Sequence, residues 1–191
     1  MGRWEPDARE RLVRAALDLF SEQGYENTAV AQIAERAGLT KSTFFRHFRD
    51  KREVLFGGQD VLAELMTSAI ADAATDAGPL EAVEAALVAT AVTFTDERLA
   101  HGPQRLMVIA GNDELRERAA LKMVGFAAAM TDALKKRGVA ELEAAVAAEL
   151  GVLAFDRGYE RWLETGGDFA EVARRTLSDV RAAVAGLEGA E

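Results

Sequence analysis

The sequence predicts an all-α protein: a three-helix helix-turn-helix unit followed by a helical bundle. Three observations predict it. Apolar residues recur at helical spacing along most of the chain. Good helix formers, Ala, Leu, Glu and Arg, dominate the 191 residues, and only three prolines occur. Finally, Gly, Pro, Ser/Thr and Asp fall where helices would start and stop. With 49% hydrophobic residues, the chain is long enough for one or two domains with a real core and is not a disordered polymer.

The first helix is read from Leu12, Ala15, Ala16, Leu19 and Phe20, with Pro6 tolerated near its start and Gly24 at its end. Thr28 is the expected cap of a second helix with a buried face of Val30, Ile33, Ala34 and Ala37. Gly38 forces a tight turn, and Thr40 caps a third, short helix reaching about Phe48. Asp50 and Glu53 have the spacing of a capping box opening a fourth. Two short helices joined by a glycine turn behind a longer one make a helix-turn-helix unit. Beyond residue 56 the helices lengthen. Breaks are expected at Gly78-Pro79 and Gly102-Pro103, each placing Pro at a first helical position. Lys135, Lys136 and Arg137 before Gly138 read as a helix end whose cations complement the dipole. After Gly166-Gly167, Asp168 and Glu171 repeat the capping-box spacing and open the last helix. The expected domains are 1–50, the helix-turn-helix, and 51–191, a helical body.

Charge separates these regions. The chain carries a net −9. Residues 1–56 hold ten Lys/Arg against nine Asp/Glu, a balance of +1, and the remainder is at −10. An acidic body repels polyanions, so any contact with them belongs to the N-terminal face. The absence of cysteine excludes disulfides and thiol chemistry and fits a reducing compartment. No signal peptide is visible. The longest weakly polar stretch, Ala85 to Phe94, is too short to span a bilayer. A cytoplasmic protein with no membrane partner is expected.

The most informative segment runs from Ala37 to Lys51. No carboxylate occurs between Ala37 and Arg49, whereas Lys41, Arg46 and Arg49 are cations. The small hydroxyl residues Thr40, Ser42 and Thr43 open the short helix, letting its free N–H groups approach phosphates and base edges closely. Phe44 and Phe48, four residues apart, share one face and anchor the helix to the core. Base-edge contacts then fall on Lys41, Ser42, Thr43 and Arg46, and phosphate contacts on Thr28, Thr40, His47 and Lys51. Double-stranded DNA is the expected partner. The plain alternative is a solvated basic face.

The stretches Leu19–Tyr25 and Ile33–Phe48, with Lys51, Val54 and Leu55, resemble the DNA-binding domain of the TetR family over about residues 8–56. The resemblance implies a three-helix DNA-binding head, a helical body that binds a small-molecule effector and dimerises, and repression relieved by that effector. Two departures stand out. The family often has tyrosine where Phe45 stands, so Phe45 joins the expected DNA-facing set without a hydroxyl for a phosphate. Ala29 and Ala31 stand where the family often has threonine and arginine.

The body offers bulky, adaptable side chains suited to an irregular apolar pocket: Met66, Phe94, Met107, Met123, Phe126, Met130, Phe155, Tyr159 and Trp162, with Leu106 beside them. Such a stripe is equally the pattern of a core. No basic cluster there suggests a phosphorylated effector, so a neutral or lipophilic one is expected. In the last helix the stripe containing Phe169, Val172, Leu177, Val180 and Val184 continues to Leu187 and predicts a homodimer through the two terminal helices. A two-fold axis would set the short helices roughly 34–36 Å apart, on an inverted-repeat operator.

Enzymes are disfavoured. GxSxG, GxGxxG, P-loop and HExxH motifs are absent. Neither His47 nor His101 has Glu three residues before it, as a di-iron helix requires. Neither a metal nor a cofactor is expected, and His101 reads as a helix-end residue. The remaining rival is a helical module whose N-terminal unit grips a protein partner.

Overall fold

A computed structural model describes residues 8–188. Among them are ten α-helices, one 3₁₀ turn and no strand. The chain divides into two compact units, one of residues up to Gly58 together with Ala100–Ala119, the other of Gln59–Leu99 and the residues from Ala120 onward.

In the first unit, α1 (Ala8–Gln23) buries Leu12, Ala15, Ala16, Leu19 and Phe20, as their spacing predicts, and also Leu17. Pro6 lies outside the described residues. α2 (Val30–Arg36) and α3 (Lys41–His47) pack on α1, and α4 (Glu53–Phe56) closes the group. Gly38, between α2 and α3, has φ +66°. Its N–H donates to the Glu35 carbonyl at 2.9 Å, and the Leu39 N–H donates to Ala34 at 2.8 Å. These paired bonds form a Schellman close to α2, which needs the left-handed backbone that glycine adopts without strain. Thr28 does not cap α2, contrary to expectation. Its buried hydroxyl donates to the Gly24 carbonyl at 2.8 Å. Gln32 Oε1 instead accepts the N–H of Ala29, the residue preceding α2, at 2.8 Å.

The expected boundary at residue 50 also moves. Val54, Leu55 and Phe56 are buried with α1–α3, and so is Leu115 from the Ala100–Ala119 segment. Their apolar faces complete a core that three short helices cannot close alone.

The second unit contains α5 (Gln59–Asp72), α6 (Pro79–Ala89), a 3₁₀ turn (Thr90–Thr93), the start of α7 (Asp96–Ala110), most of α8 (Asp113–Lys136), α9 (Glu141–Thr165) and α10 (Phe169–Glu188). Leu62, Met66 and Ile70 of α5 recur every four residues and bury one stripe. The buried face of α9 is Ala144, Ala147, Ala148, Gly151, Ala154 and Gly158, interrupted by Phe155 and Trp162. Small residues let neighbouring helices come close: a Cβ on Gly151 would lie 2.6 Å from Val83 Cγ1 of α6. Arg137, expected to serve its own helix, reaches the end of α5 and donates to the carbonyls of Ile70 (3.0 Å), Ala73 (2.9 Å) and Ala74 (2.6 Å).

Two expected features fall differently. α7 runs unbroken through Gly102-Pro103, leaving His101 inside a helix rather than at its end. Because Gly102 has no Cβ, the usual clash of a proline ring with the preceding side chain is relieved. The break comes instead at Gly111-Asn112, where Asn112 Oδ1 accepts the Leu115 N–H at 3.0 Å and opens α8. The second concerns apolar length. Residues 53–72 are long and apolar enough to cross a membrane by composition, more so than Ala85–Phe94. The backbone divides them at Gly57-Gly58, and their large apolar side chains are in large part core.

Gly38→Ala forces a Cβ into the left-handed region and to within 2.9 Å of Arg11 Nη2. We expect a loss of about 1–2 kcal/mol, read as a lower urea midpoint with unchanged slope, and a smaller loss for Gly38→Asn.

Candidate nucleic-acid interface

The short helix α3 is held by its inner face. Phe44 and Phe48 are fully buried, with ring centroids 5.5 Å apart, and the Arg9 guanidinium lies 5.2 Å over the Phe48 ring. At the N-terminus, Thr40 Oγ1 accepts the Thr43 N–H at 3.1 Å, the cap that its position predicts. These anchors leave Lys41, Ser42, Phe45, Arg46 and His47 exposed, with Thr43 half-buried. Lys41 and Phe45 lie one turn apart, with the ammonium 5.9 Å from the ring centroid. Arg46 Nη2 donates to Thr43 Oγ1 at 3.1 Å. The fold therefore gathers Thr40, Lys41, Ser42, Thr43, Phe45, Arg46 and His47 on one short element.

It does not bring Thr28 and Lys51 to that surface as phosphate ligands. The Thr28 hydroxyl is buried and engaged. Lys51 Nζ donates to the carbonyls of Tyr25 (2.7 Å), Thr28 (3.3 Å) and Glu26 (3.4 Å) and sits 4.1 Å over the Tyr25 ring. An ammonium has three N–H donors, and the turn between α1 and α2 supplies an acceptor for each. Lys51 is thus a clamp on that turn. Burial, followed by the nearby Glu114 carboxylate, raises the Tyr25 hydroxyl above the usual phenol range.

The segment after α3 is fixed by carboxylates. Asp50 Oδ1 accepts the N–H groups of Arg52 (2.8 Å) and Glu53 (3.0 Å). Glu53 Oε2 accepts the Arg49 N–H at 3.2 Å, so the reciprocal bond reaches one residue further back than a capping box requires. Arg52 Nη2 donates to Asp50 Oδ2 and its Nη1 to Glu114 Oε1, both at 2.8 Å. Desolvation pushes the Asp50 carboxyl up, but the hydrogen bonds from Arg52 and Glu53 outweigh it and hold the group below the ordinary range. The sequence did not reveal Glu114 as a partner, because 62 residues separate it from Arg52.

In the second unit the residues expected to hold an effector pack on one another. Met66, Phe126, Met130, Phe155 and Trp162 are buried, with Phe94, Met123 and Tyr159 half-buried against them. The Phe94 ring stacks on Phe169 at 3.4 Å and 8° and meets Trp162 edge-on at 5.1 Å. Trp162 Nε1 donates to the Gly167 carbonyl at 2.9 Å, whereas the Tyr159 hydroxyl is buried with no hydrogen-bond partner among the described residues. Met107 is a correction: because α7 continues through Pro103, it belongs to the first unit, 68% exposed. Phe169 and Leu177, expected at a dimer interface, are buried in their own unit's core, with Val172 and Val180 half-buried against it. The helix outruns that core, so Val184 and Leu187, on the same stripe, are exposed. Leu142 and Val146 of α9 are exposed as well and line a groove of about 860 Å³ with Pro79, Leu80, Leu150 and Arg181.

Residues 12–56 match the family model described as bacterial regulatory proteins, tetR family. The chain is 38% identical over 91 residues to the HTH-type transcriptional regulator TcmR of Streptomyces glaucescens, covering 48% of this chain. That match spans only 40% of the length of TcmR. It is 33% identical over 113 residues to the uncharacterized HTH-type transcriptional regulator TtgW of Pseudomonas putida, covering 56% of this chain and 78% of TtgW. Among solved structures, the SmeT–triclosan complex shares the fold, with a TM-score of 0.61 and 20% identity over 92% of this chain and 90% of that one.

Lys51→Met removes the clamp on the α1–α2 turn and leaves its carbonyls without their shared donor. We expect a loss of about 1–2 kcal/mol in urea unfolding, with no change in the salt dependence of nucleic-acid binding. A flattened salt slope at unchanged stability would return Lys51 to the phosphate contacts.

Proposed function

The chain belongs to the tetR family of bacterial regulatory proteins, and from this premise we propose that it is a sequence-specific transcriptional repressor, binding an inverted-repeat operator as a homodimer and released by a small molecule. The observation that carries the reading is the outer face of α3. Lys41, Ser42, Phe45 and Arg46 are exposed there over a buried aromatic anchor, and the segment from Ala37 to Arg49 holds no carboxylate. A short capped helix with cations and small hydroxyls suits the major groove. With Thr28 and Lys51 engaged elsewhere, Thr40 and His47 are the phosphate-facing candidates that remain, and Thr43 stays with the base-edge set.

Of the α10 stripe only the far end, Val184 and Leu187, is exposed, and the proposed dimer contact joins it to Leu142 and Val146 of α9. Leu142, Val146, Val184 and Leu187 are large, apolar and exposed, and a patch of this kind on terminal helices suits a two-fold, four-helix contact. The effector is proposed to be neutral and lipophilic and to insert at the aromatic group around Phe94, Tyr159 and Trp162. The unpartnered Tyr159 hydroxyl supports this, since a buried donor gains from any acceptor a ligand brings. Phe94 stands two residues before α7, whose residues from Ala100 on belong to the DNA-facing unit. The proposed place of action is the cytoplasm, where bacterial DNA lies.

Binding to an operator selected from random duplexes tests the reading. If about six phosphates are neutralised, affinity falls on the order of 1,000-fold between 50 and 200 mM salt, and Lys41→Ala relaxes preference at one base pair per half-site. A flat salt slope would favour a protein partner instead. For the dimer, Val146→Asp is expected to shift the sedimentation mass from two chains toward one with helicity unchanged. Retention of the dimer would exclude this face.

A further inference from the structure

Between residues 8 and 58, Phe45 is the one large apolar side chain left exposed, at 49%. Its surroundings make that exposure directional. The buried Phe44 ring meets it edge-on at 5.5 Å and 84°, and the Lys41 ammonium stands over it at 5.9 Å. The rest of the outer face is hydroxyl and cation, so the ring is an apolar island within a polar surface. It can neither donate to a phosphate nor accept from a base. On the major-groove edges of the four base pairs there is a single apolar group, the C5-methyl of thymine.

Resting on the repressor reading above, we infer that Phe45 reads the C5-methyl group of a pyrimidine in each operator half-site, and so sets a base preference rather than holding the backbone. The position is constrained. Phe45 lies one helical turn beyond Lys41, about 5.4 Å along α3, or about two base steps of 3.4 Å. The methyl group therefore belongs within about two base pairs of the base that Lys41 contacts. 5-Methylcytosine presents the same group at the same place and is bound about fourfold better there than unmethylated cytosine.

The test is a methyl-deletion scan with the full-length protein. An operator is selected from random DNA, and each thymidine is replaced singly by deoxyuridine, which lacks only the methyl. The wild-type protein should bind one substituted position per half-site about fourfold more weakly, the worth of one buried methyl-sized group. That position should fall within two base pairs of the one where Lys41→Ala relaxes preference. Phe45→Ala, whose melting curve should match the wild type because the ring is exposed, should bind the thymidine and deoxyuridine operators alike. The inference is overturned if no deoxyuridine effect depends on Phe45, or if Phe45→Ala weakens every sequence equally, which would put the ring against sugar and phosphate. A protein that selects no operator and shows no salt slope overturns the repressor reading itself, an outcome distinct from both.

Discussion

The surface that α3 presents depends on the pair of rings beneath it. Seven residues are too few to be a stable helix alone, since nucleation alone is unfavourable. Phe44 and Phe48 supply the missing free energy, about 1.5–3 kcal/mol each for full burial. They also fix rotation: with both on the inner side, Lys41, Ser42, Phe45 and Arg46 must face outward. Thr40 sets the starting residue and Gly38 the angle of entry. The chemistry of the outer face is thus a consequence of the inner one.

A second theme is the use of long cationic side chains as caps for backbone far away in sequence. Lys51 holds the α1–α2 turn, the Arg11 guanidinium donates to the Ala37 carbonyl at the end of α2, and Arg137 covers the last carbonyls of α5. These carbonyls lie at or just beyond helix ends, where intrahelical donors run out, and Lys51 and Arg137 each satisfy several of them at once. A cation so employed is not available to a phosphate. Counting Lys and Arg in the N-terminal segment therefore overstates the charge offered to DNA. Lys41 and Arg46 of α3 are exposed, so the proposed DNA contact leans on them more than the sum suggests.

The second unit shows the same economy with aromatic residues. Phe169, on the stripe expected to meet a partner, is stacked against Phe94 inside its own core, and the large apolar residues left exposed on these helices include Val184 and Leu187 near the end of α10 and Leu142 and Val146 near the start of α9. The Met and aromatic residues that suit a pocket are the same ones that suit a core. Here they are packed as a core in which the Tyr159 hydroxyl has no hydrogen-bond partner among the described residues.

Period and punctuation made much of this legible in the residues alone. The spacing of Leu12 to Phe20, the threonine before α3, and Phe44 with Phe48 each act over a turn or two of helix, so they determine the helices, the anchor and the outward face of α3 without reference to the rest of the chain. Only the tertiary structure decided what depends on distant partners. Lys51 found carbonyls 23 to 26 residues away, and Arg52 found Glu114. The unit boundary moved because Leu115 was needed in the first core, and α7 continued through Pro103 into that unit, taking Met107 with it. Local spacing encodes which way a side chain points on its own helix. Which acceptor or core it then meets is a matter of three-dimensional proximity, which no local pattern records.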